Sequence, residues 1–208
     1  MTDGDGFPDG FFARTDDTPD AEFYEPLRLV THIDDGAIAA VGALYEELGI
    51  DGEVLDLMSS WVSHFTKAPR SLTVLGMNAD ELAHNSMAEA RVVHDLNAEP
   101  TLPFAAATFD SAVCCVSVDY LVRPVEVFRE VGRVIRPGGA FVCTFSNRLF
   151  ATKAIRGWLL TDDGGHCKIV ERYFERSGCF SPAVSHRCTP PGPNDPLYAV
   201  WAFTEVSR

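Results

Sequence analysis

No apolar run in this sequence approaches the roughly 18 residues that a membrane-spanning helix needs. The acidic start MTDGDGFPDG also lacks the basic and apolar regions of a secretory signal. The expectation is a soluble, unexported, cytoplasmic protein with no membrane partner. Basic residues are scarce: 17 Lys and Arg stand against 30 Asp and Glu, a formal charge of -13. That sign repels phosphate backbones and argues against nucleic acid as a partner. The charge is uneven, since residues 1 to 35 hold ten acids and two arginines, a net of -8, leaving -5 for the rest. There is no CxxC pair among the six cysteines, and Cys114 and Cys115 are adjacent within an apolar run, so neither a metal site nor a disulfide framework is expected. Buried, reduced thiols are the expectation. No internal repeat is visible.

What is present is core material. A 46% hydrophobic content with 14 Phe suffices for one sizeable domain in 208 residues. Residues 1–20, rich in Asp, Gly, Thr and Pro, read as a flexible acidic leader. Residues 21–50 read as an N-terminal helical cap: Phe23, Leu27 and Val30 recur at helical spacing, as do Ile38, Val41, Leu44 and Leu48. Asp34 or Asp35 caps the second helix, and Gly49 ends it. Residues 51–208 alternate strand and helix. Strands are expected over Glu53 to Leu57, Leu72 to Leu75, Arg91 to Leu96 and Ala112 to Val118, the last covered on both faces, with a helix between the first two. Val125, Phe128, Val131 and Ile135 mark a helix that the turn Arg136-Pro137-Gly138-Gly139 stops before a strand over Ala140 to Phe145. Helical segments near 150–161 and 164–177 follow, then two strands near 179–188 and 197–204 around the loop TPPGPNDP. This order predicts an α/β fold with a largely parallel sheet and helices on both faces. Ligands of such sheets bind beyond the carboxyl ends of the strands, here at the loops after residues 57, 76, 95 and 117.

The segments VLDLMSSW, VLGMNADEL, VVHDLNAEPTLPFAAATFDSAVCCVSVDYL and VFREVGRVIRPGGAFVCTFSNR, in this order and spacing, resemble the class I S-adenosylmethionine-dependent methyltransferases of the methyltransferase type 11 kind. The likeness covers about residues 50–205. It implies a Rossmann-like, seven-stranded, mostly parallel sheet whose last strand is antiparallel, S-adenosylmethionine as cofactor and a small-molecule substrate.

The resemblance also implies site residues. The family ends its first strand with an acid followed by three alternating glycines. Here the acid is Asp56, expected to meet the amino group of the cofactor's methionine part, while Met58, Ser60 and Val62 replace the glycines. Ser59 and Ser60 are expected to donate hydroxyls to the cofactor's carboxylate, and Trp61 to cap the pocket or pack in the core. Asn78 stands where the family has an acid for the ribose hydroxyls, with helix capping as its alternative. In the ribose role, Asn78→Asp would tighten binding. Asp95 and the Leu96 backbone are matched to the adenine amino group, and Cys115 and Val116 to the cofactor's middle.

Methyl transfer needs positioning more than a fixed catalytic residue, and a histidine base helps when the acceptor must lose a proton. Candidates are His32, His64 and a surface-placed His166. Asp119 and Tyr120 follow the fourth strand, where acceptor-facing groups often stand. Arg148 is read as a contact for an acidic substrate or as an ion-pair partner of the acidic N-terminal region. A binding or regulatory domain that kept the fold without catalysis is the alternative to an enzyme. A dinucleotide oxidoreductase is disfavoured, because no GxGxxG follows the first strand.

Overall fold

The computed structural model describes residues 6–205. Its centre is one seven-stranded sheet in the order β3-β2-β1-β4-β5-β7-β6. The strands are β1 (Glu53–Leu57), β2 (Ser71–Gly76), β3 (Ala90–Val93), β4 (Ser111–Cys115), β5 (Ala140–Phe145), β6 (Val184–Arg187) and β7 (Tyr198–Phe203). The first five pair in parallel, and β7 runs antiparallel to both β5 and β6. The chain therefore reverses direction at β1, between β2 and β4, which is where an open α/β sheet leaves a crevice at its strand ends.

Strand alternation sorts the core into two halves. Leu55, Leu57, Ala112, Cys114, Phe141 and Phe145 face helices α4 (Pro124–Val134) and α6 (Asp163–Ser177). Val54, Leu72, Val74, Val113 and Val142 face α2 (Asp35–Glu47) on the other side. Local chemistry sets the helix ends: Asp34 accepts from the Ala37 N–H at 2.8 Å, Pro124 opens α4, and Gly178 closes α6 at φ 70°. The turn before β5 needs both its glycines. Gly138 sits at φ 82°, and a Cβ on Gly139 would fall 2.2 Å from the Asp110 carbonyl oxygen. Cys114 and Cys143 are fully buried and all six thiols are free. Among the described residues no helix is long and apolar enough to cross a membrane.

Three expectations are corrected. The helical stripe Phe23, Leu27, Val30 yields only α1 (Asp20–Tyr24), because Pro26 has no N–H to carry the helical hydrogen bonds on; Leu27 and Val30 are left 51% and 55% exposed. No helix joins β1 to β2: residues 58–70 run irregularly. Ser59, Ser60 and Ser63 in that segment hydrogen-bond to Asp56 and Glu81, a competition that disfavours helix. The third correction concerns the leader. Residues 1–5 of it lie outside the described residues, but Phe7 is 2% exposed and packs with Phe11, Phe12 and Tyr173. Arg14 binds the buried Asp20 at 2.7 Å, and the wholly buried Lys153 reaches Asp20 at 3.2 Å and the Thr18 carbonyl at 2.7 Å. The remaining helices are α3 (Ala79–His84) and the short α5 (Arg156–Leu159).

Candidate functional site

A cavity of about 440 Å³ opens at the carboxyl ends of β1 to β4, roofed by the segment from Asp20 to His32. All four loops that strand topology singles out border it, through Met58, Asn78, Leu96 and Tyr120. Its backbone is strained where it turns. Met58 after β1 has φ 53° and Val116 after β4 has φ 47°, and a β-branched residue in that region is a genuine outlier. Met58, where the resemblance implies a glycine, thus holds a left-handed bend without one. The glycine stands instead on the neighbouring strand: a Cβ on Gly76 would lie 2.1 Å from the Ser59 carbonyl oxygen. That close approach lets the Ser59 N–H donate to the Leu75 carbonyl at 2.8 Å and folds the loop after β1 over the end of β2.

Asp56 ends β1 in the cavity floor. Its Oδ2 accepts from Ser59 Oγ at 2.7 Å and from Ser63 Oγ at 2.6 Å. Burial lifts its carboxyl to about 6, partly opposed by those two hydroxyls. Ser60 Oγ donates to Glu81 Oε2 at 2.6 Å. The hydroxyls of Ser59 and Ser60, expected to face a ligand carboxylate, are therefore engaged with the chain's own acids. Trp61 lines the cavity half-buried, and its indole N–H donates to the Val30 carbonyl at 3.0 Å, so it ties the roof to the loop after β1.

Asn78 is fully engaged as well. Its Oδ1 caps α3 by accepting from the N–H groups of Asp80 and Glu81, both at 3.0 Å. Its Nδ2 donates to the carbonyls of Tyr24 at 2.9 Å and Glu25 at 3.0 Å. The geometry thus matches the capping alternative and adds a second duty, anchoring the roof. It also reverses the effect expected of Asn78→Asp. A carboxylate keeps the cap, loses both donors and sets its charge against two carbonyl oxygens, at a cost of about 1–3 kcal/mol. Thermal unfolding should show a lower Tm, and ligand titration a weaker rather than a tighter site.

Asp95 follows β3 and lines the cavity. Its Oδ1 accepts from the N–H groups of Asn97 at 2.9 Å and Ala98 at 3.2 Å, which shapes the loop and holds the buried Leu96 against the cavity. Asn97 links roof to floor: its Nδ2 donates to Asp20 Oδ2 at 2.8 Å and to the Tyr120 carbonyl at 2.9 Å. Cys115 and Val116 line the wall at the end of β4, and burial raises the Cys115 thiol to about 12.

Asp119 and Tyr120 form a short 3-10 turn after β4. The Tyr120 hydroxyl accepts from the Phe150 N–H at 2.8 Å and its ring reaches the cavity, whereas Asp119 is buried behind it with Oδ2 unpartnered. Burial lifts the Asp119 carboxyl to about 8, opposed by its own N–H and by Tyr120. Protonated in the fold and ionised when unfolded, Asp56 and Asp119 make the folded state bind more protons between about pH 4 and 8. Stability therefore falls as pH rises through that window. The Asp56 contribution is complete above about pH 6, His32 and His64 act in the opposite sense up to about pH 7, and the Asp119 part approaches 1.4 kcal/mol per pH unit at its steepest. Asp119→Asn should flatten urea-unfolding stability between about pH 6 and 8 and raise it at about pH 8. An unchanged slope would show that Asp119 is ionised in the fold.

Of the histidines, His32 and His64 line the cavity. The His32 ring stands edge-on to Phe150 at 5.2 Å, and partial burial lowers its pKa, opposed by Glu81. Burial lowers His64 too. His166, expected at the surface, is buried: it stacks on Trp158 at 4.0 Å, with Nε2 2.9 Å from the Trp158 carbonyl oxygen. Arg148 lines the cavity but pairs with Asp195 at 3.0 Å rather than with the N-terminal acids.

Sequence reasoning missed Glu81, Arg28 and Phe150. Glu81 stands three residues after the Asn78 cap, a spacing that marks a capping box, but it accepts from the Arg28 N–H at 2.8 Å instead. Arg28 and Phe150 carry no local signal, because their roles arise where the roof crosses the sheet.

A seven-stranded sheet with a reversed terminal hairpin and a strand-end cavity defines the Rossmann-like methyltransferase class of folds. Residues 51–143 match the family model described as a methyltransferase domain. Together they make the chain similar in fold to the class I S-adenosylmethionine-dependent methyltransferases, with the sequence match confined to residues 51–143. Its fold is similar to that of a methyltransferase candidate from Haloferax volcanii solved with the Trm112 methyltransferase activator, at TM-score 0.58 and 13% identity, covering 84% of this chain and 92% of that one. An S-adenosylmethionine-dependent methyltransferase from Aquifex aeolicus aligns at TM-score 0.56 and 14% identity, over 88% and 95% of the two chains. Phosphoethanolamine N-methyltransferase 2 of Haemonchus contortus, in complex with S-adenosyl-L-methionine, aligns at TM-score 0.57 and 12% identity, over 81% of this chain and 52% of that one. No curated protein sequence matches the chain.

Proposed function

We propose that this protein is an enzyme that transfers a methyl group from S-adenosylmethionine to a small-molecule acceptor held in the same cavity. The observation that carries this reading is the strand-end cavity bounded by Asp56 and Asp95, with the backbone bent through positive φ at Met58 and Val116. Bound there, S-adenosylmethionine would supply an electrophilic methyl group to the acceptor's lone pair, its sulfur keeping the electrons of the carbon–sulfur bond. Asp56, lifted to about 6 when alone, is suited to an incoming ammonium, which would pull it back to the carboxylate form. Asp95 keeps one oxygen clear of its loop's hydrogen bonds and would receive the adenine amino group, with Leu96 beside it. Met58, Ser59, Ser60, Cys115 and Val116 wall the space between, and Asn78 acts by fastening the roof.

The chain's part in the transfer is to hold the acceptor in line and to keep water away, tasks that suit a cavity closed by the tied segment 20–32. His32 and His64 are the residues placed to take a proton from the acceptor, because both line the cavity and burial lowers both imidazoles, favouring the neutral form that a base requires. Tyr120 borders the same space and shapes it. A cavity of about 440 Å³ suits a small organic acceptor.

Calorimetric titration with S-adenosylmethionine and S-adenosylhomocysteine tests the reading. Both should bind, and Asp95→Ala should weaken each by about 1.5–3 kcal/mol, roughly 10- to 150-fold. Absence of binding by the wild-type chain would overturn the proposal.

A further inference from the structure

The cations that line the cavity are not equivalent. Arg148 is paired with Asp195, whereas Arg28 has no carboxylate in ion-pair contact with its guanidinium among the described residues. Two of its five N–H donors are used, on the Phe23 carbonyl at 2.8 Å and the Pro26 carbonyl at 3.3 Å, so three remain. Two rings also flank the group: its central carbon lies 5.0 Å from the Phe23 ring centroid and 5.8 Å from that of Phe150.

Among the described residues, none of the acids around the cavity forms an ion pair with that guanidinium. Asp20 is shared between Arg14 and Lys153. Glu81 is engaged by the Ser60 hydroxyl and by the Arg28 backbone N–H rather than by its guanidinium. Asp56 is turned toward Ser59 and Ser63. Beside Arg28 stand Tyr24, Tyr120 and Phe150. The last has Tyr120 at 6.0 Å and Tyr24 at 6.5 Å, and the Tyr24 hydroxyl has no protein hydrogen-bond partner among the described residues. These aromatic walls come from the roof and from the ends of β4 and β5, whereas Asp95 stands at the end of β3, on the opposite arm of the sheet.

We infer that the cavity selects a planar organic acid as methyl acceptor, with its carboxylate on Arg28 and its ring against Phe150, Tyr24 and Tyr120. This rests on the proposed methyl transfer and names the substrate class. A guanidinium with three free N–H donors and no ion-pair partner is matched by a carboxylate, and it disfavours an amine cation at the same aromatic faces.

The test is calorimetry on protein saturated with S-adenosylhomocysteine, titrated with benzoate, 4-hydroxybenzoate and indole-3-acetate, each against its own carboxamide. At least one acid should bind tenfold or more tighter than its amide. Arg28→Gln should abolish that preference, and Arg28→Lys should keep part of it, both with unchanged affinity for S-adenosylhomocysteine. The wild-type comparison of acid with amide does not depend on any variant folding. If S-adenosylhomocysteine binds and no acid is preferred, or if the preference survives Arg28→Gln, the inference is overturned. If Arg28→Gln weakens S-adenosylhomocysteine, the guanidinium serves the carboxylate of the cofactor rather than that of the acceptor, which overturns it equally. Failure of S-adenosylhomocysteine to bind the wild-type chain would instead bring down the methyl-transfer reading and this inference with it.

Discussion

Phe7→Ala is expected to lower stability by about 3–5 kcal/mol, the usual cost of truncating a fully buried phenylalanine. The residue lies in a stretch whose composition suggests no packing, yet it is 2% exposed. Its ring centroid is 4.9 Å from Phe11, 5.1 Å from Phe12 and 5.6 Å from Tyr173 of α6, and the Arg172 guanidinium lies 5.1 Å from its centroid. The cluster is locked from the other side. A Cβ on Gly157 would fall 2.2 Å from Phe11, and the Gly157 and Arg156 N–H groups donate to the carbonyls of Phe11 and Ala13, both at 2.8 Å. An alanine leaves a void that these rings cannot fill without losing their contacts with α6 and α5. At 2–4 °C per kcal/mol for a chain of this size, Tm should fall by roughly 6–20 °C. Urea unfolding should give the same ordering. A loss below about 1 kcal/mol would mean that residues 6–13 detach in solution and that the flexible-leader reading of the sequence was right.

The same stretch shows what a sequence hides. Strands β1 and β5 are legible to the residue, because each is a short apolar run between turn signals and its alternation is decided locally. The turn at Arg136 to Gly139 is legible for the same reason: proline and two glycines leave the backbone few choices. By contrast, the burial of Phe7 depends on a groove made by α5 and α6, some 150 positions away in the chain, and Asp- and Gly-rich flanks disguise it. The missing helix after β1 fails in the other direction. Met58, Trp61, Val62 and Phe65 offer apolar spacing, but three serines find better partners in Asp56 and Glu81 than in a helical backbone. Within the candidate site, Asp56, Asp95, Cys115 and Val116 were marked by the family resemblance, and strand topology places all four at the cavity. Which atoms remain available to a ligand was not legible. Asn78 stands at a site position and uses its whole amide on the chain itself, while the free N–H donors belong to Arg28 in the roof.

Gly76→Ala should disable the site more thoroughly than any change at the position where the family carries its first loop glycine. Gly76 is required for space and not for backbone freedom, since its added Cβ would stand 2.1 Å from the Ser59 carbonyl oxygen and 3.2 Å from Leu82 Cδ2. A backbone carbonyl cannot swing aside as a long side chain can. The loop after β1 must lift, which breaks the Ser59 N–H bond to Leu75 at 2.8 Å and strains the Ser59 hydroxyl bond to Asp56 at 2.7 Å. Overpacking of this kind costs about 1–3 kcal/mol, and the lost hydrogen bond adds about 1 kcal/mol. The displaced loop carries Met58, Ser59 and Ser60 out of the cavity wall, so affinity for S-adenosylhomocysteine should fall tenfold or more in protein that still folds. Met58→Gly makes the contrast. It relieves a left-handed conformation at φ 53° that costs roughly 1–2 kcal/mol, but it frees the unfolded backbone by about 0.5–1 kcal/mol, leaving a net gain of about 0–1.5 kcal/mol. Calorimetry and thermal unfolding on the two variants separate the alternatives: a silent Gly76→Ala beside a disabling Met58→Gly would return the site's conformational demand to the loop.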